Sequence, residues 1–236
     1  MSASAPAAAV VQSPSADSRL ARILGSSIGQ KLVMAATGII LSGFVVGHMV
    51  GNLTVFKGAD AINAYGAALR KFPAVLWGVR FGLLLSVGLH IWAYLALSVK
   101  SWGARPKGYK VTSYKEASLA SRTMRWTGPI LGAFIIYHLL HLTTGTVHPS
   151  FKEGDVFHNL IAGLSVTPVA VFYLVAMACL ALHVFHGVWS LFQSLGFSQP
   201  RYESFARRLA TLFTIVVVGG FVIIPIAVLA GFLKLQ

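Results

Sequence analysis

The sequence predicts an all-α membrane protein that crosses the bilayer five times. Of its 236 residues 56% are hydrophobic and 11% are charged, whereas about a quarter of the residues in a soluble domain are charged. Apolar runs of about 20 residues are long enough to cross a bilayer as helices. These runs lack the polar–apolar alternation of a membrane β-barrel, so helices are the structure that satisfies their backbone groups in lipid.

The predicted spans follow a polar N-terminal segment. Residues 1–18 are rich in Ala, Ser and Pro and are expected to form a disordered tail, while residues 19–236 are expected to form one transmembrane domain. The five spans are expected at about 32–56, 74–99, 126–144, 166–192 and 209–233. The segments between them are expected to be loops.

The distribution of Lys and Arg predicts the orientation. Thirteen of these 19 residues lie in the N-terminal segment and in the second and fourth connections, and six lie on the other side. Since cytoplasmic loops are enriched in Lys and Arg, the N-terminus is expected in the cytoplasm and the C-terminus outside. The net charge of +13 therefore reflects topology and contact with anionic lipid, and no nucleic-acid partner is expected. The single cysteine, Cys179, cannot hold an iron–sulfur cluster, so any such cluster must belong to another chain.

Histidines occur inside the first four predicted spans, where an ionisable residue is costly and marks a functional site. They are His48, His90, His138 with His141, and His183 with His186. Because alternate spans run in opposite directions, His48 and His138 are expected at one level near the outside (the outer pair). His90 and His183 are expected at a second level near the cytoplasm (the inner pair).

Two histidines on different helices at one level can occupy both axial positions of one haem iron. Two such pairs predict two b-type haems, and the first four spans would form the bundle that binds them. Covalent attachment is not expected, because the sequence contains no Cys-x-x-Cys-His motif. A zinc site is the competing interpretation, but it would need three or four ligands at one level.

An internal repeat bears on the duplicate histidine of span 3. Residues 34–48 and 124–138 share Met, Thr-Gly and His at the same spacings, with the His 11 residues after the Thr in both copies. The repeat selects His138 rather than His141 as the ligand.

A weaker match bears on span 4. Residues 89–103 and 182–196 share a Leu-His pair and a Gly 13 residues after the His, which selects His183 rather than His186. The remaining histidines, His141 and His186, are expected to contact the haems or their propionates, or to pack against neighbouring helices.

These residues resemble a known family. Residues 31–38 followed by 48–53, and residues 172–175 followed by 183–190, are similar to the first and fourth spans of the cytochrome b subunit of succinate dehydrogenase and fumarate reductase. The branch that is resembled has a single five-helix anchor with two haems. The resemblance covers about residues 28–235.

The resemblance implies axial ligands at His48, His90, His138 and His183. It implies a flavoprotein subunit that oxidises succinate at FAD, and an iron–sulfur subunit that docks on the cytoplasmic face of this chain. The chain would pass electrons through the inner and then the outer haem to a quinone, often menaquinone. It is thus expected to be the anchor of a succinate:quinone oxidoreductase of the respiratory chain and tricarboxylic acid cycle, in the inner (cytoplasmic) membrane. Succinate chemistry itself would lie in a partner chain.

A quinone site is expected near the outer pair, with Asn52, Asn63, Tyr65 and Arg70 as the main candidates and Arg80, His141 and His148 as alternatives. Quinone reduction needs a proton donor near each carbonyl oxygen. In the five-helix fumarate reductases an acidic residue near the second helix is implicated, whereas no Asp or Glu lies inside the spans predicted here.

Two other functions remain open at this point. A di-haem anchor of a hydrogenase or formate dehydrogenase would use similar histidine pairs with a different soluble partner, and co-purification with a flavoprotein would separate the two. A haem-free transporter that relays protons through its histidines would show no haem absorbance.

Overall fold

The computed structural model describes residues 16–104, 118–197 and 199–235, with the backbone alone for residues 16–20. These residues fold into helices and contain no strand, which confirms the predicted all-α class. The helices are α1 (Ala16–Gly25), α2 (Ser27–Leu53, continued by the 3₁₀ turn Thr54–Lys57), α3 (Ala59–Arg70), α4 (Pro73–Gly103), α5 (Leu119–Leu142), α6 (Val156–Ser165), α7 (Thr167–Ser194) and α8 (Pro200–Leu229).

Four helices are long and apolar enough to cross a membrane: α2 with its 3₁₀ turn, α4, α7 and α8. The predicted third span corresponds to α5, which has 24 residues but is not among these four. Its first turns carry Arg122 and Arg125, and Pro129, His138 and His141 lower its apolar content further. The predicted count of five spans is therefore not confirmed by length and composition.

Local signals explain why the helices begin where they do. The side chains of Ser26 and Ser118 cap α2 and α5 by accepting hydrogen bonds from the N–H groups of Gly29 (3.0 Å) and Ser121 (3.2 Å). Proline occupies the first turn of α4, α7 and α8, where its missing N–H has no cost. Several helices consequently extend into segments that the sequence predicts as loops.

One end of the bundle gathers the starts of α2, α5 and α8 with the ends of α4 and α7, and is termed the basic end. Here the Lys100 ammonium donates to Gln30 Oε1 (3.0 Å) and to the Gly25 carbonyl. The Arg125 guanidinium lies 5.9 Å from the centre of the Trp102 ring. Four basic residues used in the orientation argument lie outside the described residues: Arg105, Lys107, Lys110 and Lys115. So do residues 1–15 of the predicted tail, while residues 16–18 begin α1.

At the opposite end, two connections predicted as loops contain the short helices α3 and α6, so that expectation was wrong. Asn63 joins them: its Nδ2 donates to Asp155 Oδ1 (3.1 Å), and its Oδ1 accepts from the Phe157 N–H (3.0 Å). Asp155 caps α6 by accepting from the His158 N–H (3.0 Å). That bond and the Asn63 amide lower the pKa of the Asp155 carboxyl below its ordinary value. The two helices form what is termed the α3–α6 layer.

Packing divides the long helices into two couples. α2 packs against α4 and α5 packs against α7, while α8 contacts α7 and α2. The buried core lies towards the α3–α6 layer, around Val55, Ile161 and Leu164. Many large apolar side chains of α4, such as Phe81 and Leu85, are by contrast exposed, which suits a surface in contact with lipid. In the described residues α4 makes no extensive backbone contact with α5 or α7.

Candidate functional site

The outer pair joins α2 to α5. The ring centres of His48 and His138 lie 5.7 Å apart with their planes nearly perpendicular, at 88°. Phe44 stacks on His48 (5.3 Å), and Phe134 packs on His138 (5.7 Å). Each Phe precedes its His by four residues and thus shares its helix face. A third ring, Phe221 of α8, lies 5.8 Å from His48. Aromatic side chains therefore line the outer pair from three helices.

The inner pair joins α4 to α7. The ring centres of His90 and His183 lie 6.3 Å apart at an angle of 55°. A glycine of a neighbouring helix faces each ring of the inner pair. A Cβ added to Gly38 would lie 3.7 Å from His90 Cε1, and one added to Gly128 would lie 3.9 Å from His183 Cε1. The hydroxyl of Thr37, next to Gly38, lies 3.0 Å from His90 Nδ1.

The two pairs occupy different levels of the bundle. Gly38 marks the level of His90 on α2, and His48 follows ten residues later on the same helix. At about 1.5 Å per residue, ten residues correspond to about 15 Å along the helix axis. Gly128 and His138 have the same separation on α5. The structure thus brings together the two pairs that the sequence predicts; their role as metal ligands stays a prediction.

The Thr-Gly repeat has a different structural meaning from the one used in the sequence argument. Its spacing to His48 and His138 served to choose a ligand for the outer pair. In the structure, Gly38 and Gly128 lie beside the histidines of the inner pair. Each copy of the repeat therefore contributes a histidine to one level and a small residue to the other.

His141 points into a separate polar cluster. Its ring is 1% exposed and stacks on His148, with ring centres 4.8 Å apart. Both ring nitrogens of His148 are engaged: Nε2 donates to the Asn159 carbonyl (2.9 Å) and Nδ1 accepts from the Ser150 N–H (3.1 Å). Gly163 of α6 lies against both rings. This group is termed the His141–His148 stack, and it connects α5 to the α3–α6 layer.

Tyr173 of α7 links the stack to the outer pair and was not singled out from the sequence. Its hydroxyl lies 2.9 Å from His141 Nδ1 and 3.3 Å from His138 Nδ1. A tyrosine inside an apolar span is a signal that sequence reasoning can use, but its partners depend on how α5 and α7 pack. The other duplicate, His186, lies against Trp189 (5.9 Å), and its buried Nδ1 has no hydrogen-bond partner among the described residues.

The four predicted quinone contacts are not equally close to the outer pair. Asn52 donates from Nδ2 to the His48 carbonyl (2.7 Å), and the same atom lies 3.4 Å from both ring nitrogens of His48. Tyr65 packs its ring against Gly51, next in sequence to Asn52. Asn63 is committed to the contact between α3 and α6. Arg70 is exposed at the end of α3.

The residues of both pairs fit a six-coordinate haem iron. Two imidazoles bound to opposite sides of one metal, each through a bond of about 2 Å, have ring centres about 6 Å apart. The separations of 5.7 and 6.3 Å agree with this arrangement. Within the described ranges there is no group of three or more His, Cys, Asp or Glu residues that could hold a metal ion, as the zinc alternative would require.

Comparison with known families adds an independent finding. Residues 103–223, just over half of the chain, match the family model described as succinate dehydrogenase/fumarate reductase transmembrane subunit. The matched segment includes all of α5, α6 and α7, and hence His138 and His183. No curated protein and no solved structure matches the chain.

Proposed function

The chain belongs to the family of succinate dehydrogenase/fumarate reductase transmembrane subunits, and we propose that it is the cytochrome b membrane anchor of a succinate:quinone oxidoreductase. Its task would be to conduct electrons between an iron–sulfur subunit and a quinone such as menaquinone. Succinate would be oxidised in a flavoprotein subunit bound through the iron–sulfur subunit. The observation that carries the proposal is the meeting of four histidines from four helices as two pairs at two levels.

We propose that His48 and His138 hold one b haem and that His90 and His183 hold the other. Each haem would supply an iron that takes up and releases one electron. The protein's own contribution is to fix the four imidazoles and to exclude water. Phe44 and Phe134 exclude water on the faces of the outer pair. The haems would lie between α2 with α4 and α5 with α7, since α4 makes no extensive backbone contact with α5 or α7 in the described residues.

We further propose that α5 crosses the membrane as a fifth span. Its 24 residues extend over about 36 Å, which exceeds the hydrocarbon core of about 30 Å. It begins at the basic end, lies beside the membrane helix α7 and ends next to the α3–α6 layer. Its histidines are turned towards protein neighbours rather than lipid, which is how ionisable residues are tolerated in a membrane.

The basic end would face the cytoplasm and dock the iron–sulfur subunit. In that orientation the N-terminus is cytoplasmic, the C-terminus is outside, and the membrane is the inner (cytoplasmic) membrane. The opposite end carries fewer Lys and Arg residues, as expected for an outer face. The inner pair lies on the side of the iron–sulfur subunit, and the outer pair lies near the α3–α6 layer.

Quinone would meet the chain near the outer pair. Asn52 is the best placed of the predicted contacts, because its amide lies within reach of the His48 ring. Tyr65 is next, since it packs on the adjacent Gly51. The family match favours this function over the anchor of a hydrogenase or formate dehydrogenase, and over a haem-free transporter.

A reduced-minus-oxidised spectrum of the purified complex, with haem and protein both quantified, tests the proposal. The expected result is about two b haems per anchor chain, together with a flavoprotein that co-purifies. A haem content of zero would overturn the haem assignment, and a partner without flavin would overturn the choice of complex. His158→Ala is a suitable control, because this histidine bonds the Ser150 carbonyl in the connection before α6 and belongs to neither pair. It should retain both haems.

A further inference from the structure

A threonine hydroxyl lies within hydrogen-bonding distance of one nitrogen of the His90 ring. Thr37 Oγ1 lies 2.7 Å from the Val33 carbonyl oxygen and 3.0 Å from His90 Nδ1. It also lies 3.1 Å from the Met34 carbonyl oxygen. A hydroxyl has a single hydrogen, and a carbonyl oxygen can only accept. When the Thr37 hydrogen bonds one of these backbone carbonyls, the hydroxyl oxygen is free to accept an Nδ1–H from His90.

We propose that Thr37 is a positioning residue that holds His90 in the Nδ1–H tautomer. Nδ1–H leaves the Nε2 lone pair free to bind a metal, and the hydrogen bond also limits rotation of the ring. The inference rests on the proposed haem-binding function, but it concerns a residue that does not touch the iron. Thr37 is 5% exposed, so water does not readily replace its hydroxyl.

The second copy of the repeat lacks this contact. Thr127 occupies the position equivalent to Thr37 and is equally buried, at 3% exposed. Its hydroxyl is directed to Met124 Sδ at 4.0 Å and not to a histidine. His183 Nδ1, on the other side of the inner pair, is buried and has no hydrogen-bond partner among the described residues. The inner pair thus has one ligand that is oriented by a hydroxyl and one that is not.

The asymmetry has an electronic consequence. A hydrogen bond donated from the remote nitrogen of an imidazole makes its metal-binding nitrogen more basic. A more basic ligand stabilises the oxidised iron relative to the reduced iron and so lowers the reduction potential. Replacing Thr37 by Val keeps the branched shape and removes the acceptor, so the potential of the inner haem should rise. A tenfold change in the ratio of ferric to ferrous affinity corresponds to about 59 mV for one electron.

The test compares Thr37→Val with Thr127→Val in the purified complex, by haem content and by redox titration of both haems. Thr37→Val should raise the reduction potential of one haem only, or weaken the binding of that haem by about 10–100-fold. The affected haem should be the one that is missing in His183→Ala. Thr37→Ser should restore the wild-type values, and Thr127→Val should match wild type.

The outcomes distinguish a failure of the proposed haem-binding function from a failure of the proposed role of Thr37. Wild-type protein without haem would overturn the proposed function. A different result would overturn the role of Thr37 alone. In that case the wild-type protein binds two haems, and the Thr37→Val and Thr127→Val variants have equal potentials and equal haem content. A shift of both haems by the same amount would also count against it, since His90 is the one of the four paired histidines that the Thr37 hydroxyl contacts in the described residues. If Thr37→Val does not assemble, Thr37→Ala provides the same comparison without the added methyl group.

Discussion

The tight contact at Gly163 allows a quantitative prediction. A Cβ added at this position would lie 2.6 Å from His141 Cε1, 2.7 Å from His141 Nε2 and 3.0 Å from His148 Nε2. Ordinary contacts between carbon atoms occur at about 3.5–4.0 Å. In Gly163→Ala, α6 or the two rings must therefore move apart by about 1 Å.

The rings are not free to make this movement. His141 is bonded to Tyr173, and His148 is bonded through Nε2 to the Asn159 carbonyl of α6 and through Nδ1 to the Ser150 N–H. Overpacking of this kind costs about 1–3 kcal/mol, and each hydrogen bond that breaks adds about 0.5–1.5 kcal/mol. Alanine in a helix recovers about 1 kcal/mol relative to glycine. The expected net loss is about 2 kcal/mol, concentrated in α6 and its contact with α5.

Native-state hydrogen exchange measures this loss directly. A loss of about 2 kcal/mol should speed exchange of the α6 amides by about 30-fold. Gly219→Ala is the matched control, because it lies in a helix and no atom lies within 4 Å of the added Cβ. It should leave exchange in α6 unchanged. Equal exchange rates of α6 in Gly163→Ala and Gly219→Ala would refute this prediction. The His141 and His148 rings would then move apart without a loss of stability.

Three further predictions concern the ligands, the outer layer and the basic end. His48→Ala should lose one of the two haems and keep the other by optical quantification; loss of both from a folded protein would contradict separate pairs. Asp155→Ala should cost about 1 kcal/mol through loss of the α6 cap. The pKa of Asp155 is lowered from 3.8 in the folded protein, so the ionised carboxylate should stabilise α6 fully above that pH. This stabilisation should disappear as the pH falls through the lower pKa of the folded protein. Hydrogen exchange of α6 at several pH values would reveal the loss. Lys100→Met should release the turn between α1 and α2 from α4 and speed proteolysis there, whereas unchanged cleavage would show that its bond to Gln30 is dispensable.

The long helices could be predicted because their signals are local. Apolar runs place α2, α4, α7 and α8 close to the expected spans. The alternation of direction between consecutive spans was sufficient to place His48 opposite His138 and His90 opposite His183. Neither inference required knowledge of how the helices pack.

The short helices and the contacts around the histidines could not be predicted in the same way. α3 and α6 have 12 and 10 residues, and they depend on a contact between Asn63 and Asp155 that is distant in sequence. The separate roles of His138 and His141 depend on the rotation of α5 relative to α7, which places Tyr173 between them. The bond from Thr37 to His90 likewise depends on the axial register of α2 and α4.

The ten-residue interval between Gly38 and His48 sets the distance between the inner and outer pairs along α2. It lies within one uninterrupted helix, and the interval between Gly128 and His138 on α5 has the same length. The distance between the two levels is therefore set by the rise of one helix on each side of the bundle and not by loops. Deleting one residue within either interval would rotate its histidine by about 100° relative to its glycine.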